Sequence, residues 1–416
     1  MNSTPTPAPR FSALQHRNFL LLWAGLIVSN VGSWMQNVAE GWLILQLTNS
    51  PLWIGLLGLS FALPMLVLPL VGGAVVDRIH RVKLLYVTQT GQLLTALVMA
   101  ILIWTKLINV WHLLAAAFIG AVLLAFDNPA RQSLIPDLVP REDLLNAISL
   151  NSATYNGSAL LGPALAGALL APLGAGSLFF INAVSFLAVI FALTAMRNVR
   201  THSGGSQQTS LGRAMLSGVI YAWRTRLILA LLLLSALTAV FGRSYQNFLS
   251  IFARDIWHSG AQGYGFLLTS AGAGALVGAF GLASVRKPQR QGAILIGSGL
   301  IFSAVIILFA LSPSLLLGVI LLFIGGVAST VFGSIIATFI QVTVPNELRG
   351  RVMSLYAITL IGLPSLGAMG SGAFAEWLGG LQGAPRAVLL GGIMVGVVLL
   401  VVAPIFWRRN IETIKR

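Results

Sequence analysis

Apolar runs of about twenty residues recur from one end of the chain to the other, separated by short polar stretches. A run of that length crosses the ~30 Å hydrocarbon core of a bilayer as a helix. Backbone groups in lipid must be paired internally, which leaves helices or closed barrels. A barrel strand alternates apolar and polar residues, whereas residues 389–405 carry no polar side chain at all. The pattern predicts an all-α membrane protein with twelve transmembrane helices. They fall over residues 18–46, 53–76, 84–104, 110–135, 146–171, 176–196, 227–252, 263–284, 291–311, 314–340, 351–376 and 388–406.

The two halves of this pattern resemble each other at a nearly constant offset. Gly157, Gly162 and Gly167 recur 205 residues later as Gly362, Gly367 and Gly372, and Pro140 and Glu142 recur at that offset as Pro345 and Glu347. Gln36-Asn37 recurs 210 residues later as Gln246-Asn247, and Gly55 as Gly265. A duplication of this kind predicts two pseudo-symmetric six-helix bundles with a site between them near mid-membrane, opened alternately by rocking one half against the other. The longest polar segment divides them: residues 1–197 form the first bundle, 198–226 a cytoplasmic linker and 227–416 the second bundle. The linker starts with a flexible Ser/Gly/Gln-rich stretch. From Leu211 to Tyr221 it reads as an amphipathic helix lying on the inner surface.

Composition agrees, with 57% hydrophobic and 8% charged residues against about 25% charged in soluble domains. The net charge of +15 raises nucleic-acid binding, but the charges lie in short loops beside apolar spans, without a basic face. With the amino terminus inside, 21 of the 25 Lys and Arg residues fall in cytoplasmic segments and three outside, Arg243 being left within a helix. The positive-inside rule then places both termini in the cytoplasm of a multi-pass protein of a bacterial inner membrane. Cysteine is absent, which excludes disulfides and thiolate metal sites. A Gly-x-x-x-x-Gly-Lys-Ser/Thr loop for ATP is missing, and the five histidines are scattered. No enzyme site, metal or cofactor is expected.

Ionisable groups at membrane depth are costly unless paired or hydrated, so each is a functional candidate. Asn30, Ser33, Asn37 and Glu40 are spaced three, four and three, on one face of the first span, placed here toward a cavity. Shielded from water, a carboxylate at Glu40 is suited to take up and release a proton; the plainer alternative is an interfacial acid beside Trp42. Asp127 and Arg131 have the i,i+4 spacing of an ion pair. Either they are proton or substrate ligands, or Asp127 joins Arg81 in a latch at the inner face. Arg243 shares a face with Gln246 and Ser250, where it can pair with Glu40 across the halves or attract an anionic substrate. Gln92, Asn151, Tyr155 and Asn156 are further polar candidates for the cavity wall.

Three motifs carry a family resemblance. After the second span, Gly73, Asp77, Arg78, Arg81 and Lys83 place an acid at a helix end followed by cations, able to latch the inner face shut. Their spacing resembles the cytoplasmic signature of the major facilitator superfamily, with His80 where that family usually has glycine. Ser158, Gly162, Pro163 and Gly167 form a small-residue stripe with a bend. It is similar to the superfamily's antiporter signature, with Ser158 and Ala166 replacing two glycines. The stretches Phe126–Ser133 and Pro140–Ala147, with Glu40-Gly41-Trp42, resemble the branch that includes the enterobactin exporter and macrolide efflux proteins. The resemblance runs from about residue 11 to residue 401. It implies the major facilitator fold and a monomer exporting small amphipathic molecules, drug-like compounds or a siderophore, in exchange for protons. It also implies a charge relay between loop and fourth span that includes Asp127. An importer or lipid transporter on the same fold is the alternative, and a membrane sensor a more distant one.

Overall fold

The computed structural model describes residues 11–76, 79–197, 211–284 and 291–406. The amino-terminal half comprises α1 (Arg17–Thr48), α2 (Pro51–Val76), α3 (Arg81–Trp104), α4 (Val110–Leu138) and α5 (Leu144–Ala195). After α6 (Leu211–Arg224) the second half comprises α7 (Arg226–Leu237), α8 (Tyr245–Ile251), α9 (Gly260–Ser284), α10 (Gln291–Ala310) and α11 (Leu315–Thr343). It ends with α12 (Asn346–Ile361), α13 (Leu363–Trp377) and α14 (Ala384–Phe406). Among the described residues no strand occurs.

Local sequence sets the helix ends. α1 stops at Asn49, which takes a left-handed conformation (φ 50°), as a residue after a helix often does, and Pro51 then opens α2. Asn109 caps α4: its side chain accepts from His112 N at 3.0 Å, while Asn109 N donates to His112 Nδ1 at 3.3 Å. The 52 residues of α5, at ~1.5 Å each, are more than twice the ~30 Å core. Gly174 breaks them with a φ of 76° that side chains disfavour, so α5 makes two crossings. Eleven described stretches are long and apolar enough to span a membrane, and with α5 counted twice they supply twelve.

The seventh and eleventh spans differ from the uninterrupted helices read from the sequence. Between α7 and α8, Thr238–Gly242 winds as π-helix, and Phe252–Ile256 does so again after α8. The eleventh span starts five residues earlier than expected and is interrupted at Gly362, between α12 and α13. Apolar periodicity is blind to such interruptions, because one extra residue in a turn leaves the run apolar.

One apolar cluster lies within the first half and one within the second, and the largest is continuous across both, from Val38 and Leu45 to Phe252 and Leu267. The halves meet along α2 with α13 and α5 with α9, two contacts that exchange under the repeat. A Cβ on Gly265 would lie 2.4 Å from Gly167 Cα, and one on Gly372 would lie 2.7 Å from Pro51 O. Gly162 sits against Val31 O, and Gly367 against Val240 O, so equivalent glycines do equivalent packing in both halves.

The basic end of the molecule carries the loops at 79–80, 139–143 and 344–345; the opposite end carries those at 49–50 and 257–259. Hydrogen bonds between the halves, among the described residues, lie at the opposite end. Arg254 donates to Leu45 O (3.0 Å) and Asn49 Oδ1 (2.7 Å), and Ser50 Oγ donates to Glu376 Oε2 (2.7 Å). Trp42 stacks on Tyr264 with centroids 6.2 Å apart. Close approaches continue to Leu66–Gly362 and Leu160–Gly272, about midway along α2 and α9. The molecule is closed at that end.

Gly167→Val should loosen this seam by about 1–3 kcal/mol, the usual cost of overpacking. Gly157→Ala, whose Cβ meets nothing within 4 Å, should be neutral. Thermal unfolding of both in detergent checks the pair, and equal melting temperatures would contradict the seam.

Candidate functional site

Each half holds a chamber beside the helices that meet the other half. The chamber of the first half has a volume of about 290 Å³. Asn30, Ser33, Asn37 and Glu40 of α1 line it, with Gln92 of α3, Arg131 of α4 and Tyr155 of α5. Tyr155 is 57% exposed and packs edge-on to Trp34 at 6.1 Å. The walls include neither Asn151 nor Asn156; the exposed Asn156 side chain donates instead to Ser152 O at 2.8 Å.

Glu40 ends a chain of side-chain hydrogen bonds. Ser185 Oγ donates to Asn182 Oδ1 (3.0 Å), Asn182 Nδ2 to Gln36 Oε1 (2.6 Å) and Gln36 Nε2 to Glu40 Oε1 (2.8 Å). The chain joins α1 to the second crossing of α5. Among the described residues Glu40 has no cationic partner, Arg243 included. Sequence reasoning missed Asn182; a lone amide within an apolar span was its one available signal.

Asp127 is fully buried one layer behind the chamber. It forms an ion pair with Arg131 and accepts from Thr88 Oγ1 and Gln89 Nε2, both at 2.8 Å. The latch expectation for Asp127 is corrected here. Arg81 pairs with Asp137 and donates to Ser133 O at 3.0 Å. Ten residues on a helix of ~1.5 Å rise separate the two acids, and only Asp137 reaches the end of α4. Asp77 and Arg78 lie outside the described residues, Gly73 lies within α2, and Lys83 is exposed. Nearby, His16 pairs with Asp143 at 2.7 Å, and hydrogen bonds from Ser12 and His16 hold the Asp143 carboxyl below its usual range.

The chamber of the second half has a volume of about 330 Å³ and is lined by Arg243, Thr238, Ser235, Tyr356 and polar residues of α11. Arg243 follows the first π-helical turn. Such turns are frequent at functional sites. Gln246 is exposed and lines neither chamber. Ser158, Gly162, Pro163 and Gly167 are all buried in α5. There Gly162 meets Trp34 and Val31 of α1, and Gly167 meets Gly265 of α9. This stripe therefore ties the helix bearing Glu40 to the opposite half.

Residues 8–412 match the family described as transmembrane secretion effector. The chain is 26% identical to the multidrug efflux pump Tap of Mycolicibacterium fortuitum, over 91% of this chain and 94% of that protein. It is 25% identical to the enterobactin exporter EntS of Shigella boydii serotype 18, over 93% and 92%. Its fold is similar to a crystal structure of a bacterial homologue of the human lysosomal transporter Spinster, inward-facing and unoccupied. The TM-score is 0.73 with 16% identity, over 97% of this chain and 98% of that one.

Asp127→Ala should cost about 3–5 kcal/mol by leaving Arg131 unpaired. Asp127→Leu combined with Arg131→Met should recover most of the lost melting temperature. A single variant as stable as the parent protein would show that the pair is not held out of water.

Proposed function

The chain belongs to the transmembrane secretion effector family of the major facilitator superfamily, and from that membership we propose that it is a proton-coupled exporter of small amphipathic molecules, drug-like compounds or siderophores. The observation that carries the coupling is Glu40. It is an acid in a chamber, with a hydrogen-bonded amide on one side and, among the described residues, no ion-pair partner, the Arg131 of that chamber being held by Asp127. Such a group can gain and lose a proton without breaking an ion pair, and each change alters the charge facing the substrate.

The direction rests on orientation. The distribution of Lys and Arg assigns the basic end to the cytoplasm of a bacterial inner membrane, with both termini on that side. The closed end then faces outward, and the chambers load from inside. Rocking the halves, taken as 1–197 and 227–416 about the linker 198–226, moves the loaded site to the other face. The monomer contains both chambers and suffices for this cycle, with no cofactor. Relatives with about a quarter of residues identical carry the names multidrug efflux pump and enterobactin exporter, which supports a drug-like compound or a siderophore as the substrate.

Inside-out vesicles test the coupling. An amphipathic dye such as 8-anilinonaphthalene-1-sulfonate should accumulate when a proton gradient is imposed and stop when it is collapsed. Glu40→Gln should abolish gradient-driven accumulation while leaving dye binding within about twofold, since the substitution preserves shape and removes only the ionisable oxygen. Accumulation that ignores the gradient, or a fully active Glu40→Gln, would remove the antiport reading.

A further inference from the structure

The charges of the two chambers are not related by the duplication. At the offset of 210 residues, Glu40 corresponds to Ser250 and Arg243 to Ser33. One half carries the acid and the other the base, and they do not meet. Arg131, the cation of the first chamber, is neutralised by Asp127. Arg243 is not: among the described residues it has no carboxylate within ion-pair distance, and no acidic residue lines its chamber.

The hydroxyls around Arg243 divide into two sets. Tyr356 already donates to Gly333 O (2.8 Å), Ser329 to Gly326 O (3.2 Å), and Ser235 is bonded to Thr359 (2.6 Å). Thr238 is 5% exposed, and its Oγ1 is buried without a partner. Thr330 and Ser334, also on the wall, make no side-chain hydrogen bond among the described residues. A guanidinium and three uncommitted hydroxyls therefore converge on a chamber that contains no acceptor of their charge. Burying an unsatisfied polar group costs about 1–3 kcal/mol, and a lone cation within the membrane costs more. A ligand oxygen bearing negative charge removes both penalties, and the guanidinium fork matches a carboxylate. The remaining wall is apolar, including Phe302, Phe332, Ile336 and Leu360.

We propose that the second chamber is an anion subsite. It takes the carboxylate or comparable oxyanion of an amphipathic substrate on Arg243 and Thr238, with the apolar body against Phe302 and Phe332. This names the substrate class of the exporter and rests on that reading. The volume of about 330 Å³ lies within the range of small-molecule sites and suits a ring system with a short acidic arm.

Binding of three matched probes to the full chain in lipid nanodiscs tests this, with empty discs as the blank. The probes are 2-naphthylacetate, its neutral amide and the cationic 2-naphthylethylammonium. The carboxylate should bind about tenfold tighter than the amide, the value of one charge-assisted contact, and the cation weakest. Arg243→Gln should bring carboxylate and amide within twofold of each other without weakening the amide, and Arg243→Lys should retain a preference for the anion. Where Arg243→Gln does not fold, Thr238→Val serves: it should weaken the carboxylate severalfold more than the amide. Equal affinities in the parent protein, or no carboxylate binding, would overturn the subsite. So would a preference that survives Arg243→Gln, or an unchanged ratio in Thr238→Val. Binding is read without a gradient, so a chain that prefers the anion yet fails the vesicle assay loses the antiport reading and keeps the subsite.

Discussion

Lipid offers no hydrogen bonds, and that one property sorts every polar side chain at membrane depth into two kinds. A group is either satisfied by its neighbours or turned toward a space that water or a ligand can enter. Asp127 belongs to the first kind: Arg131, Thr88 and Gln89 supply its partners, and its role follows from their completeness. Glu40 and Arg243 belong to the second. Both reach chambers, and among the described residues neither is cancelled by an opposite charge. Completeness of partners, more than depth or residue type, separates a structural charge from one available for work.

The duplication leaves the same division in another form. The seam between the halves is a mutual steric constraint, since a helix can approach closely only where its partner is also thin. Small residues therefore recur at both seams, Gly167 against Gly265 and Gly55 against Ala368. The chamber walls face open space and carry no such reciprocal demand. There the halves differ, with an acid and amides on one side and an arginine with hydroxyls on the other. Packing repeats between the halves, and the polarity of the chamber walls does not.

Much of the architecture was legible in the sequence because lipid forces a simple code. Twelve apolar runs, the glycine offsets and the single-face spacing of Asn30, Ser33, Asn37 and Glu40 all follow from helix period and bilayer thickness. The partners were harder. Arg81 meets Asp137 and not Asp127 because α4 continues past the charged pair to the basic end, a length that the hydropathy profile blurs where Pro136 and Asp137 lower it. Asn182 belongs with Glu40 only once the second crossing of α5 lies beside α1, and such a pairing is tertiary by nature. The π-helical turns flanking α8 leave no mark on an apolar run, so Arg243 was visible as a residue while the chamber it enters was not.

The hydrogen bonds that close the end opposite the basic loops are easy to exchange. Arg254 with Leu45 and Asn49, and Ser50 with Glu376, are partly exposed contacts. Each is worth about 0.5–1.5 kcal/mol net, because water replaces the bond when it opens. Apolar packing also crosses between the halves at this end, from Leu43 and Leu45 to Phe252 and Leu267, and it separates at a larger cost. The polar contacts are thus the part of this closure that the proposed rocking releases at least cost. The proposed coupling also has a short mechanical path to it. Trp42, which stacks on Tyr264 across the seam, lies two residues from Glu40 on α1, and Gly41 between them packs against the same tyrosine hydroxyl. Glu40 therefore lies within one helical turn of the closure, while Gly162 and Gly167 join α1, at Val31 and Trp34, to the other half through α5. The residue proposed to carry the proton and the aromatic stack across the seam thus share one helix.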